Sequence, residues 1–331
     1  MIQSSIFGKT ADGRNVMAFR IRDGINEAVI LSMGGIIQSL RVADKRGYPV
    51  DVVLGYNDVA SYERHPEYIG GIIGRCANRI ENGRMCIDGI DYDLYKNDHG
   101  HHLHGGQVGF DKKLWNYVFE GRDGNTLALS MASPEGEENY PGNLSVQVRY
   151  SLIDGELRIE YAAMSDRKTV INMTNHACFN LNGEAEGDVL DHTLTINADK
   201  ITPTDDALIP HGSFRNVTGT PFDFRVPHKI GERIGDTSDA DIVRQQGYDV
   251  NYLLNKRPNE FVKAAEVSSE QTGITMEVLT NKPALQLYTC NTMNSDGKSG
   301  HYGAYAGLCL ETQFIPNAVN CPAYAQLGDP I

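Results

Sequence analysis

Two runs of this chain carry side chains that can move protons. In residues 171–181, Asn172, Thr174, His176, Cys178 and Asn180 alternate with an apolar set, Ile171, Met173, Ala177, Phe179 and Leu181, interrupted only by Asn175. Successive side chains of a strand face opposite sides. His176 is therefore turned from the apolar set, into a polar concavity or into solvent. Alternation alone does not separate a reactive imidazole from an exposed or hydrogen-bonded structural one, and the structural outcome is the commoner. In residues 307–315, Glu311 shares a face with Cys309, Gln313 and Ile315, opposite Leu308, Leu310, Thr312 and Phe314. A solvated acid on an outer strand face is the ordinary reading of Glu311 alone. Together, a carboxylate with a reference pKa of about 4.3 and an imidazole of about 6.5 are what paired general acid/base chemistry requires.

Two further segments are rich in polar chemistry. Four histidines crowd Asp98-His99-Gly100-His101-His102-Leu103-His104-Gly105-Gly106. Clustered histidines suit a metal ion. No carboxylate or thiol pattern completes a ligand set here, so a hydrogen-bonding loop is the simpler alternative. His104 stands out because Gly105-Gly106 lets backbone and ligand approach closely. The glycines of residues 71–80 lack the spacing and the βαβ surroundings of a phosphate-binding loop. A guanidinium beside an amide, as at Asn78 and Arg79, suits a polyhydroxyl or an anion. Pairing of these arginines with one of the many acids is the structural alternative.

The elements that must position such groups are strands. Leu144, Val146, Val148, Tyr150 and Leu152 alternate with polar residues, Asp154-Gly155 follows, and Leu157, Ile159 and Tyr161 alternate again. That pattern predicts a hairpin closed by a D-G turn. Asp88-Gly89 predicts another, and Asp123-Gly124-Asn125 a turn ahead of residues 127–131. No run supports an amphipathic helix of about twelve residues. One short helical turn is expected at residues 58–63 and an exposed loop at residues 294–300. Repeats and low-complexity tracts are absent. The expectation is an all-β chain forming one large antiparallel β-sandwich or barrel domain over residues 1–331.

A chain of 331 residues can bury an ample core without disulfides or a structural metal. Its 43 acidic and 30 basic residues leave a net charge of −13, a poor match to nucleic acid or an anionic membrane. Hydrophobic residues at 40% and charged residues at 22% exclude the disordered and collagen-like classes. The start, Met1-Ile2-Gln3-Ser4-Ser5-Ile6, lacks a basic segment followed by an apolar block, so no signal peptide is expected. The apolar patch at residues 28–37 is broken by Ser32, Gly34 and Gly35 and is too short to span a bilayer. Cys76, Cys86, Cys178, Cys290, Cys309 and Cys321 include no C-x-x-C pair, and reduced thiols in a cytoplasm are expected.

Five sets of residues, in chain order, resemble the motifs of the galactose mutarotase (aldose 1-epimerase) family. They are Gly74-Arg75-Cys76-Ala77-Asn78-Arg79-Ile80; Leu103-His104-Gly105-Gly106 with Gly109-Phe110-Asp111-Lys112-Lys113-Leu114-Trp115; Thr174-Asn175-His176 with Phe179-Asn180-Leu181; Gly247-Tyr248-Asp249; and Leu310-Glu311-Thr312-Gln313 with Pro316-Asn317-Ala318-Val319-Asn320. They spread over nearly the whole chain. The resemblance implies a large antiparallel β-sandwich (a supersandwich) with a concave sugar-binding face. It implies an isomerase that interconverts the α and β anomers of hexoses such as galactose and glucose. In that pattern Glu311 is the base and His176 protonates the ring oxygen. Asn78, Arg79, His104 and Asp249 position the sugar or support the acid, and Gln286 joins the same sugar-binding set. No cofactor and no metal is implied; the partner is a small aldose, and a monomer or homodimer is expected. Three positions depart from the pattern. Cys178 stands where an aromatic residue often follows, which points to a changed pocket wall. Asn317 replaces a common acid. The chain ends at Asp329-Pro330-Ile331, where the family usually continues into a final strand or two, which bears on sheet closure. The alternatives are a non-catalytic carbohydrate-binding module, an epimerase of hexose 6-phosphates, and a metal-dependent enzyme built on the histidines of residues 99–104.

Overall fold

The structure, a computed structural model, describes residues 2–64, 67–121 and 124–331. Four antiparallel sheets carry most of the strands. Gln3–Lys9, Asn15–Asp23, Asn26–Leu31, Ile37–Ala43 and Pro49–Asp51 form a meander in chain order. Asn116–Glu120, Thr126–Ser133, Leu144–Ile153 and Glu156–Ser165 form a second. A third sheet orders His228–Lys229, Thr193–Ile196, Val262–Ser268 and Thr275–Thr280. The fourth, which carries the polar site, runs Cys178–Phe179, Leu308–Gln313, Ala284–Tyr288, Asp249–Leu254, Ala198–Thr202, Arg215–Asn216.

The alternation written into the sequence is realised locally. Leu144–Ile153 buries every second side chain. Asp154 and Gly155, at φ 54° and 77°, turn it into Glu156–Ser165. Two successive positive φ values are what a two-residue hairpin of matching twist demands. Asp88 and Gly89, at φ 51° and 79°, do the same between Arg84–Ile87 and Ile90–Asp93. The turn expected at Asp123 lies outside the described residues; the strand Thr126–Ser133 follows it. The short helix is Val59–Arg64, and Asp58 caps it by accepting from the Ser61 amide at 2.8 Å. A second helix, Ala240–Gln245, capped by Asp239, was not expected, because six residues are too few to show a helical period.

Two expectations need correction. Residues 171–181 are not one strand: Thr174–Asn175 pairs with Ile72–Ile73, and Cys178–Phe179 pairs with Leu308–Gln313. Between them the His176 amide donates to Gly71 O at 2.9 Å, and His176 O accepts from the Gly70 amide at 2.8 Å. The chain changes sheets at His176. Residues 294–300 are not simply an exposed loop. The Lys298 ammonium, 7% exposed, donates to Asp51 at 2.8 Å, Gln38 O at 2.9 Å and Val53 O at 2.7 Å. A desolvated ammonium needs such partners.

The main core runs from Ile2 to Leu310 and joins side chains of all four sheets, among them Phe19, Ile30, Val148, Tyr150, Leu194, Tyr252 and Leu287. Each such side chain contributes about 1.5–3 kcal/mol by leaving water. The last strand, Leu308–Gln313, lies inside its sheet, between Ala284–Tyr288 and the two-residue edge strand Cys178–Phe179.

Candidate functional site

The register of the six-stranded sheet assembles the site. Thr202 lies opposite Asn251, Asn251 opposite Gln286, and Gln286 opposite Glu311. Cys309 lies opposite Cys178, and continuing that antiparallel register by two residues brings His176 beside Glu311. One polar row therefore crosses the sheet. A parallel row, two residues along, holds Asp249, Tyr288, Cys309 and Cys178. The intervening Val250, Tyr252, Leu285, Leu287, Leu308 and Leu310 point the other way, into the core. A period of two has made a polar face on an apolar slab.

At one end of the row, His176 Nε2 stands 3.6 Å from Glu311 Oε1. Both side chains are almost wholly buried, so neither the exposed histidine nor the solvated acid that alternation allows is what forms. Glu311 Oε2 has no hydrogen-bond partner. Burial pushes the Glu311 carboxyl up to about 7; His176 opposes the shift, while Asp249 and Cys290 add to it. The unperturbed value expected from sequence is thus displaced, because the acid is desolvated.

His104 packs against this pair, its ring centroid 5.4 Å from that of His176 and 4.7 Å from that of Tyr68. The Asn78 amide donates to His104 Nδ1 at 3.1 Å, which leaves the ring proton on Nε2. Burial, with the nearby His176 and Arg79, holds the His104 imidazole well below its usual range, so it is neutral. The glycines after it serve a different purpose from the one expected. A Cβ on Gly105 (φ 90°) would stand 1.8 Å from Gly74 O. The close approach is between two protein segments, not protein and ligand.

The remaining expected residues flank the same row. Gln286 Nε2 donates to Asp249 Oδ1 at 2.6 Å, leaving Gln286 Oε1 without a partner. Arg79 is paired with Asp98 at 2.7 Å, and Asn78 Oδ1 accepts from the Arg79 amide at 2.8 Å. Asn78, Arg79, Asp249 and Gln286 line an open, shallow cleft. Asn251, Thr202 and Thr204 share its floor, and Leu208, Pro210 and Pro316 its walls. Of these six only Pro316 falls in a segment quoted from sequence, and none was given a role. For Asn251 the signal existed: it shares the Asp249 face by alternation. The cleft adjoins the carboxylate–imidazole pair at Gln286 rather than containing it.

Other candidates resolve into support. His102 is held between Tyr95 O and the Tyr140 hydroxyl, and His101 Nδ1 accepts from the Asn82 amide. The histidine run is the hydrogen-bonding loop, and its members do not converge. Donor atoms that do lie within 4.8 Å of one another are those of His104, His176 and Glu311, and those of His176, Cys178 and Cys309. Arg75 is structural: 1% exposed, it donates to Ser133, Pro134 O, Pro141 O and Thr169. Cys178 is no pocket wall; it is fully buried, its sulfur 2.9 Å from that of Cys309, which lies 3.7 Å from His176 Nδ1. Asn317 binds the Glu81 amide at 3.1 Å and Pro210 O at 3.2 Å, and its own amide donates to Arg79 O at 3.0 Å. It ties two walls of the cleft.

Fold and site together define an antiparallel β-sandwich with a buried carboxylate–imidazole pair on a polar face. A family model described as Aldose 1-epimerase matches residues 17–327, and the chain belongs to that family. It is 39% identical over 327 residues to the galactose mutarotase of Rattus norvegicus, covering 98% of this chain and 93% of that protein. It is 34% identical over 319 residues to the aldose 1-epimerase of Escherichia coli strain K12, covering 95% and 91%. A solved structure of galactose 1-epimerase from Lactobacillus acidophilus superposes with a TM-score of 0.85 at 28% identity, over 99% of this chain and 93% of that one. An aldose epimerase homologue from C. elegans superposes with a TM-score of 0.83 at 30% identity, over 92% and 91%.

Proposed function

We propose that this chain is an aldose 1-epimerase that interconverts the α and β anomers of hexoses such as galactose and glucose. The observation that carries this is the 3.6 Å spacing of His176 Nε2 and Glu311 Oε1. The anomeric hydroxyl and the ring oxygen share one carbon, so the groups that serve them have to stand side by side. The spacing is also too long for a direct hydrogen bond, so each group stays available to its own oxygen.

Ionised Glu311 takes the proton of the C1 hydroxyl while protonated His176 delivers one to the ring oxygen. The C1–O5 bond breaks and C1 becomes an aldehyde. Rotation about C1–C2 turns the carbonyl over, and closure reverses both transfers. A base whose pKa lies near 7 is well matched to neutral operation. Neutral His104 offers an Nε2 proton to oxygen while charge develops, and Asp249, Gln286, Asn78 and Arg79 hold the remaining hydroxyls. A phosphorylated substrate is a poorer match, because the cleft's Arg79 is already paired with Asp98 and Asp249 adds negative charge. The net charge of −13 favours a neutral small ligand over nucleic acid. The six unbridged cysteines support a cytoplasmic setting.

Polarimetry of freshly dissolved α-D-glucose and α-D-galactose tests the function. Rotation should decay faster with protein than without, and equally fast in excess chelator. Equal decay with and without protein would favour a binding module. Loss of activity in chelator would favour a metal-dependent enzyme.

A further inference from the structure

We propose that Cys178, Cys290, Cys309 and Nδ1 of His176 form a site for one thiophilic cation of the zinc class, and that a cation bound there silences His176. The silencing rests on the reading of His176 as the acid; the site itself does not. The three thiols come from neighbouring segments. Cys309 lies in Leu308–Gln313, Cys178 lies directly opposite it in Cys178–Phe179, and Cys290 follows Ala284–Tyr288. The Cys178 and Cys309 sulfurs are 2.9 Å apart, and the Cys290 sulfur is within hydrogen-bond reach of both. Cys309 Sγ stands 3.7 Å from His176 Nδ1. Cys290 is fixed by its backbone. It sits at φ 48°, a left-handed conformation uncommon outside glycine, and its carbonyl accepts from the Met293 and Tyr305 amides at 3.2 and 3.1 Å.

Three sulfurs and one imidazole nitrogen are the donor set of a tetrahedral zinc site. Bonds of about 2.3 Å to sulfur and about 2.0 Å to nitrogen put such donors about 3.8 Å apart for sulfur pairs and about 3.6 Å apart for sulfur and nitrogen. The Cys309–His176 spacing already fits, and donor atoms of His176, Cys178 and Cys309 all lie within 4.8 Å of one another. The Cys178–Cys309 pair has to open by about 0.9 Å, which a small rotation about one Cα–Cβ bond supplies. Thiolates favour zinc and softer ions over magnesium or calcium. The three thiols are fully buried and His176 is 5% exposed, so a cation enters past the imidazole. Binding releases the three thiol protons and takes His176 as a neutral ligand. With a cation on Nδ1 the ring cannot become the imidazolium that protonates the sugar's ring oxygen. His104, His176 and Glu311 form a second close grouping, but it offers no sulfur and is the poorer match to a soft ion.

The test uses the intact chain in a phosphine reductant, which keeps the thiols reduced, with Zn²⁺ at buffered free concentrations for activity and Cd²⁺ as an absorbing probe. Saturating Zn²⁺ should lower the polarimetric rate on α-D-glucose about tenfold or more, and chelator should restore it. Titration with Cd²⁺ should give the ultraviolet thiolate-to-cadmium absorption band, complete at one ion per chain. Cys178→Ala and Cys290→Ala should each keep the zinc-free rate, raise the Zn²⁺ concentration needed for inhibition about tenfold or more, and lose about a third of the band. Inhibition unmoved in both variants would place the cation on His104, His176 and Glu311 and overturn the inference. So would a titration that gives no thiolate band. A band in a chain that does not turn over glucose even without zinc would overturn the epimerase reading, and the silencing with it, and leave the site standing.

Discussion

Burial is the property of Glu311 with the widest consequences. It raises the carboxyl to about 7 from 4.5. The ionised base is lost as pH falls through that value, so kcat/KM should decline on the acid side with a midpoint near pH 7. A profile flat down to pH 5 would contradict the assignment of Glu311 as base. The same shift has a stability counterpart of opposite sense. Below about pH 4.5 the carboxyl is protonated in both folded and unfolded chains. Between there and pH 7 only the unfolded chain ionises, so native stability falls as pH rises through the window, by on the order of 3 kcal/mol. Glu311→Gln lacks that titration, so it should gain stability relative to wild type between pH 4.5 and 8 in urea unfolding. An unchanged difference would show that the carboxyl is not desolvated. Alternation in the sequence put Glu311 and His176 off the apolar face correctly. It could not show their burial, because the covering comes from distant segments: Tyr68, His104 and Tyr288 all stand near the His176 ring.

At the scale of elements, position comes from register and from one break. Four strands supply Thr202, Asn251, Gln286 and Glu311 to a single row, and no local pattern states that these strands are neighbours. The two D-G hairpins were legible because their turn chemistry is local. The change of sheet at His176 was not, since its backbone bonds go to Gly70 and Gly71, about a hundred residues away. The loop bearing His104 is seated by Gly105 against Gly74. Gly105→Ala should therefore cost at least about 2 kcal/mol in chemical denaturation and lower kcat with it, through both left-handed strain and overlap. Wild-type stability in that variant would show that the two segments do not meet as described.

For the whole molecule, one core cluster takes side chains from Ile2 to Leu310, and no helix among the described residues is long and apolar enough to cross a membrane. Such a shared core predicts that fluorescence of buried Trp115 and far-UV circular dichroism report the same unfolding midpoint. Two separated transitions would mean that the sheets fold as independent units. The all-β class was legible from alternation and turn signals, while the layering of four sheets was not, because it depends on which apolar faces meet. All of these elements converge on one act, the movement of two protons at an anomeric carbon. The direct measurement is the polarimetric rate on α-D-galactose for wild type, Glu311→Gln and His176→Asn under identical conditions. Each variant should retain its far-UV spectrum and lose activity by a factor of about 10² or more. A folded Glu311→Gln or His176→Asn protein that equilibrates the anomers at the wild-type rate would contradict the account.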